Sequence, residues 1–332
     1  MRSHTVPQRL LKQFAYDDPI TGSLRLWKYA KGRAPYPNAS PKTATRVDGY
    51  FAVAKDAEIE ARTEDRLARE IEDPVNAFLA SFSDACFVLN ASQREQMTRY
   101  ISLLFQRCTA RRSAAGYIQE VKAYAFKKFL ENDTQLATVA AHWGINAYLN
   151  QLRMPLITPH DVAQAAKRMR DKILEPSAEQ DAFVTGLVSV IAFLDEPMFN
   201  GEWLAIRTTP DKPFILADAP VVTWERFEDG KLSFGIGVHQ SNVEVLLPVS
   251  PTTCLHILPC VKRSRKVLVP TVREVNSGEA AFAHQACFTN IRSKEIDDIV
   301  QNCGGTVRFG QNAFMLWHQN YDNIVFDFLM KR

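Results

Sequence analysis

Three side chains stand where chemistry could use them. His4 comes three residues before Pro7 and four before Gln8, almost at the start of the chain. Proline fits the first turn of a helix, where its missing N–H needs no partner. Leu10, Leu11 and Phe14 follow at helical spacing. The opening residues are therefore expected to form a short helix docked by an apolar face. His4 would precede it, either as a metal ligand or acid/base group or simply hydrogen-bonded. Gln8, one turn on, could orient it or touch substrate.

The second candidate lies in the carboxylate-rich stretch TEDRLAREIEDP. Asp65 with Arg69, Arg66 with Glu70 and Glu58 with Arg62 are i,i+4 pairs of an exposed helix face. Glu64 differs: with Leu67, Ile71 and Val75 it falls at intervals of three, four and four, and shares the apolar face. A carboxylate there must find a partner or shift its pKa. Arg107 and Arg111 are the expected counter-ions and candidate substrate-binding groups. The third candidate, Asp218, ends the short apolar run of FILADAPVV. A strand end fixes a carboxylate while the loop leaves it open, which suits a general base or a metal ligand. An Asx turn before Pro220 is the structural alternative. Glu64 and Asp218 are the candidate ligands of a divalent metal, the one cofactor these residues suggest.

Other signals exclude more than they assign. No HExxH, GxSxG, GxGxxG or GxxxxGK[ST] pattern is present. The six cysteines form no CxxC pair, so neither a zinc ribbon nor a redox dithiol is indicated. Free thiols and the lack of an apolar leader at the N-terminus suggest a reducing, cytoplasmic setting. His142 and His160 lie near turns or caps, and His239, His256, His284 and His318 lack metal-ligand spacing. The formal net charge of +3 gives no strong field for nucleic acid or membrane. Lys262, Arg263, Arg265 and Lys266 cluster in VKRSRKV, which reads as a solvated hairpin tip or a phosphate contact without an aromatic platform. The longest apolar run, AFVTGLVSVIAFL, has thirteen residues, short of the roughly 20 a membrane helix needs.

The elements that must position these groups follow from pattern. LRLWKY reads as a strand and GRAPYPNASPK as an irregular loop. Helical pattern runs over 56–82 with a break at Asp73-Pro74. A capping box at Ser92–Glu95 opens a long helix, Gly116 interrupts the helical pattern that continues it, and TPHD and SAEQ open two more helices. After Glu196 the texture changes to short β-like runs: WLAIRTT, PFILAD, VVTWERF, LSFGIGV, VEVLLPVS, TCLHIL and KVLVPTV. Helical segments follow over 276–288 and 293–303, then TVRF and NIVFDF. Helices followed by strands, without βαβ alternation, indicate an α+β fold. A mainly helical region, 1–195, with a short N-terminal strand would pack on a β-rich region, 196–332, with a mainly antiparallel sheet and two helices, as one compact unit.

Five stretches, HTVPQRLLKQFA, RLWKY, TEDRLAREIED, FILADAPVV and VLLPVSPTTCLHI, resemble in that order the uncharacterised bacterial proteins grouped as domain of unknown function DUF4238. The resemblance covers residues 3 to 300. It marks His4, Pro7, Leu11 and Phe14, then Glu64 and Glu72, Asp218 and Pro220, and Pro248, Ser250 and Pro251. The chain departs at LADAP, where Leu216-Ala217 replace the family's usual Thr-Ser and Ala219 its usual Asn. The resemblance implies no activity.

Two readings stand foremost, with a third behind them. In one, His4, Glu64 and Asp218 converge at the junction of the two regions and hydrolyse a phosphodiester or nucleotide, with a divalent metal. In the other, the protein is a non-enzymatic protein-binding or regulatory partner, for example in a bacterial defence or toxin–antitoxin type system. A nucleic-acid binder is third, and needs the 262–266 cluster to share a face with Arg107, Arg111 and Arg112. No membrane partner is expected.

Overall fold

A computed structural model describes residues 2–108 except 31, 49, 51–62 and 85, residues 194–303 except 236, 262 and 265–266, and single positions between 160 and 191. The chain divides into two compact units, Met1–Arg112 with Val184–Arg308, and Ser113–Phe183 with Phe309–Arg332. The architecture below is that of the first.

Strand β1 (Arg2–His4) enters helix α1 (Gln8–Gln13) through Pro7, whose φ of −54° suits a helix start. Leu10, Leu11 and Phe14 are fully buried, as their spacing predicts. Strands β2 (Tyr16–Asp17), β3 (Leu24–Ala30), β4 (Tyr36–Ala39) and β5 (Arg46–Asp48) follow, and β5 returns antiparallel to β1. β4 corrects the expectation of an irregular loop. Its Pro37 is tolerated because β4 pairs with β3 alone, and an edge strand can do without a ladder donor.

The acidic stretch is helical without a break. A π-helical turn over Ala68–Glu72 runs directly into α2 (Asp73–Asn76), where Pro74 sits in the first turn, and a tight 3-10 turn spans Leu79–Ser83. Helix α3 (Ala91–Arg107) is capped by Asn90 and Gln93, which exchange backbone amides. The capping box is real but begins two residues before the expected Ser92.

After α4 (Glu196–Phe199) come β6 (Glu202–Arg207), β7 (Leu216–Ala217), β8 (Val222–Arg226), β9 (Leu232–Phe234), β10 (Val243–Ser250) and β11 (Thr253–Leu258). α5 (Val272–Phe282), β12 (Ala286–Thr289) and α6 (Lys294–Cys303) complete the described elements. Two expectations change here. The described residues of KVLVPTV, 267–272, form no strand: Thr271 is the N-cap of α5, in a capping box with Glu274. ACFT, read as the end of a helix, is strand β12. Gly116, TPHD's first residues, SAEQ, TVRF and NIVFDF lie outside the described residues.

The result is an α+β fold. One antiparallel sheet has the order β6-β11-β10-β8-β9; the other runs β2-β3-β12-β7, with β4 beside β3. Every residue of β10 and β11 is buried, so the first sheet is covered on both faces. Val222, Leu246 and His256 are registered across β8, β10 and β11 and share one face. That face meets α5 closely: a Cβ at Gly278 would lie 3.0 Å from Val222 and 3.2 Å from Trp224. The opposite face receives the helical residues, with Thr253 Oγ1 donating to the Phe82 carbonyl at 3.1 Å. A second cluster, including Tyr29, Ile215, Ala280, Ile296 and Ile299, joins the other sheet to α5 and α6.

Candidate functional site

His4 and Asp218 are held by different partners. His4 is half-buried, and its Nε2 lies 2.8 Å from the Lys42 carbonyl. A carbonyl only accepts, so Nε2 carries the proton and His4 ties β1 to the turn before β5. Gln8 is half-buried in α1. Glu64 is half-buried beside a face whose Leu67, Ile71 and Val75 are all sealed. Arg107, 3% exposed, donates from Nη1 to Glu72 at the end of the π-helical turn. Tyr50 donates to the Arg107 carbonyl at 2.7 Å. Tyr100 lies in the same buried neighbourhood, and burial, with Glu72 beside it, holds its hydroxyl well above the usual phenol range. Arg111 and Arg112 lie outside the described residues.

Asp218 stands where the chain leaves β7 in one sheet for β8 in the other. It is 4% exposed, and its two oxygens accept the backbone amides of His284 at 2.7 Å and Gln285 at 2.8 Å. Its own amide donates to the Ala286 carbonyl at 3.0 Å. The carboxylate thus pins the crossing between sheets to the loop before β12, rather than closing a local Asx turn. Burial raises its pKa, and the amides oppose the rise.

Two buried acids were missed by sequence reasoning. Glu279 of α5 is fully buried; its Oε2 accepts the Ala217 amide at 2.6 Å and its Oε1 has no partner among the described residues. Burial pushes this carboxyl well above the usual range, and Asp218 adds to the push. Burial and Glu279 likewise raise the thiol of Cys254. The signal was available: Val275, Glu279 and Phe282 fall at intervals of four and three, the criterion that marked Glu64. The other is Glu244 of β10, whose Oε2 meets His256 Nε2 of β11 at 2.7 Å, the pair being 3% and 0% exposed. Among the described residues no three His, Cys, Asp or Glu side chains group as a metal site requires.

A cleft of about 300 Å³ opens at the junction of the helical and β-rich regions. Phe82, Phe87 and Arg94 line it from one side, Trp203, Arg207 and Leu255 from the other. The Arg94 guanidinium lies over the Trp203 ring, 5.4 Å from its centroid, and donates to the Gly201 carbonyl. Arg207 donates to the Phe82 carbonyl, to Thr253 Oγ1 at 2.9 Å and to the Asp84 carbonyl at 2.7 Å. Asp84 turns its carboxylate to the Cys86 amide at 2.9 Å. Among the described residues neither arginine has a carboxylate partner, and the cleft is lined by no acid, histidine, serine or cysteine. Sequence could not have assembled it, because Arg94 and Trp203 are more than 100 positions apart. A larger cleft of about 450 Å³ beside α6 is lined by Tyr29, Arg33, Cys287, Asp297 and Gln301 among others; its Asp297 already pairs with Arg292 at 2.9 Å.

A family model described as "Protein of unknown function (DUF4238)" matches residues 2–294. No curated protein and no solved structure matches the chain. Among the described residues no helix is long and apolar enough to cross a membrane.

Proposed function

We propose that this chain, which belongs to the DUF4238 family, is a ligand-binding or regulatory protein rather than a hydrolase. One observation carries the reading. The cleft at the junction of the helical and β-rich regions offers aromatic walls and two guanidinium groups, and among the described residues no acid/base group lines it. A binding pocket needs apolar walls and a few placed polar groups. A hydrolytic site needs in addition a base or nucleophile within hydrogen-bond reach of substrate. Asp218, one of the three sequence candidates for that role, gives both oxygens to backbone amides. A regulatory partner of the kind found in defence systems would use such a cleft to sense a small molecule.

Hydrolysis of a phosphodiester or nucleotide is the second reading. The same two guanidinium groups suit a phosphate, and His4, Glu64 and Asp218 would have to supply the chemistry with a divalent metal. The test is turnover. The full chain, incubated with a chromogenic phosphodiester and with mononucleotides, each with Mg²⁺, Mn²⁺ or Zn²⁺, is expected to release no product. Metal-dependent turnover that co-purifies with the protein and is lost in Glu64→Gln at unchanged Tm would replace the binding reading by the hydrolytic one.

A further inference from the structure

We infer that the junction cleft takes an aromatic anion: a planar ring carrying one carboxylate or phosphate. The inference rests on the binding reading above and names its ligand class.

Charge is the first argument. Arg207 donates to two carbonyls and a hydroxyl, whereas Arg94 donates to the Gly201 carbonyl and its buried Nε has no partner among the described residues. They are not neutralised as charges by any described carboxylate. Two cations at one small cleft, with an apolar floor that lowers the local dielectric, attract an anion more strongly than the same cations in open solvent. The anion would provide the counter-charge that the fold leaves out.

Shape is the second argument. Trp203 and Phe87 are half-buried, so part of each ring is open to the cleft. Phe87 is braced edge-on by Phe82, with ring centroids 5.1 Å apart. Arg94 over Trp203 presents a flat, charged surface rather than a point charge, and a guanidinium both stacks on a ring and donates paired hydrogen bonds. A flat ligand with an anionic edge matches these two properties together. The cleft, at about 300 Å³, lies at the small end of ligand pockets, which limits the occupant to roughly one mononucleotide. Adenosine monophosphate and benzoate represent the two sources of that chemistry, a nucleotide and an aromatic acid.

The test uses the full chain, with tryptophan fluorescence and thermal shift as readouts, and five probes: adenosine monophosphate, benzoate, adenosine, inorganic phosphate and acetate. At least one aromatic anion is expected to bind at least tenfold more tightly than adenosine and than its own small anion, and to raise Tm. Which of the two binds identifies the source. Arg94→Gln should weaken that binding at least tenfold. Val88, 82% exposed at the rim of the cleft, gives a second pair that leaves the core untouched: Val88→Asp should weaken binding and Val88→Lys should tighten it. Adenosine binding as tightly as its monophosphate, or affinity indifferent to Arg94 and to the charge at position 88, would overturn the ligand class while leaving a binding protein. No binding by either aromatic anion would also overturn it. Consumption of a probe would instead overturn the binding reading itself.

Discussion

Arg94 of α3 lies over the indole of Trp203 of β6, 5.4 Å from the ring centroid, and reaches the carbonyl of Gly201 at the turn into that strand. This contact joins the helical residues to the edge of the first sheet and forms one wall of the junction cleft. A stacked guanidinium beside a partly exposed indole contributes about 0.5–2 kcal/mol. Trp203→Leu is therefore expected to lower stability by about 1–2 kcal/mol in urea unfolding. Its loss should also remove most of any ligand-induced fluorescence change. A full fluorescence response without Trp203 would mean that ligand binds elsewhere.

Gly201 allows that wall to close. A Cβ there would stand 2.4 Å from the Leu258 carbonyl oxygen and 3.0 Å from Pro259 Cα, both backbone atoms that cannot swing aside. Gly201→Ala should cost about 1–3 kcal/mol through overpacking, read as a lower Tm and a lower urea midpoint. An unchanged midpoint would show that β6 and β11 are not this close.

The Glu72–Arg107 pair anchors the other end of α3. Arg107 is 3% exposed and Glu72 lies at the end of the π-helical turn. Arg107→Met leaves a partly buried carboxylate alone, and such a loss costs about 3–5 kcal/mol when the pair is fully sealed. Adding Glu72→Gln should recover part of that loss in a double-mutant cycle. Additive effects of the two substitutions would contradict direct coupling.

Glu279 makes stability depend on pH in a stated direction. Its folded pKa is raised well above its ordinary value of 4.5 by burial. The folded state then holds a proton that the unfolded state has released, so stability falls as pH rises from the unfolded value through the raised one. The contribution is fully present below pH 4.5. Glu279→Gln stays neutral at every pH. The difference in unfolding free energy between wild type and variant should shift against the wild type as pH rises through 5, 6 and 7, flattening once the folded group ionises. A constant difference would show that Glu279 is not held protonated. Asp218 is raised in the same direction, so the comparison is made between variants rather than on the wild type alone.

Asp218→Asn separates scaffold from catalyst. The carboxylate accepts two backbone amides, and an amide side chain can replace only one acceptor. Hydrogen bonds to charged groups contribute about 1.5–3 kcal/mol, so Asp218→Asn should lose stability on that order. Calorimetric titration with Mg²⁺, Mn²⁺ and Zn²⁺ should look the same before and after. Metal binding in the wild type that vanishes in the variant would restore Asp218 as a ligand.

Much of the fold was legible, for local reasons. Pro7 with Leu10, Leu11 and Phe14 specified α1, because helix start and apolar spacing agree over a few residues. VEVLLPVS and TCLHIL specified β10 and β11. What was lost depended on distant partners. Tyr36–Ala39 contains a proline and becomes a strand only because β3 supplies the other half of the ladder. ACFT has the composition of either element, and its place between β3 and β7 decides for strand. The capping box moved from Ser92 to Asn90 because both residues can cap and only the chain direction into α3 selects one. Asp218 was singled out as a candidate base or ligand, yet the partners its carboxylate takes, the amides of residues 284 and 285, carry no signature in sequence. His256 stood in an apolar run and was passed over for lacking metal spacing, although a histidine sealed in a central strand requires a partner, here Glu244. The cleft itself arises from residues of both regions, and no local pattern announces it.

The measurement that bears most directly on the central claim is a calorimetric titration of the full chain with cyclic adenosine monophosphate, with Mg²⁺ present. This probe is at once a planar ring carrying an anion and a phosphodiester. The account predicts heat that returns to baseline after each injection and, where the nucleotide rather than the aromatic acid is the source, a saturable one-site isotherm with at least a tenfold loss of affinity in Arg94→Gln. Heat that continues after each injection in proportion to protein concentration would reveal turnover and contradict it.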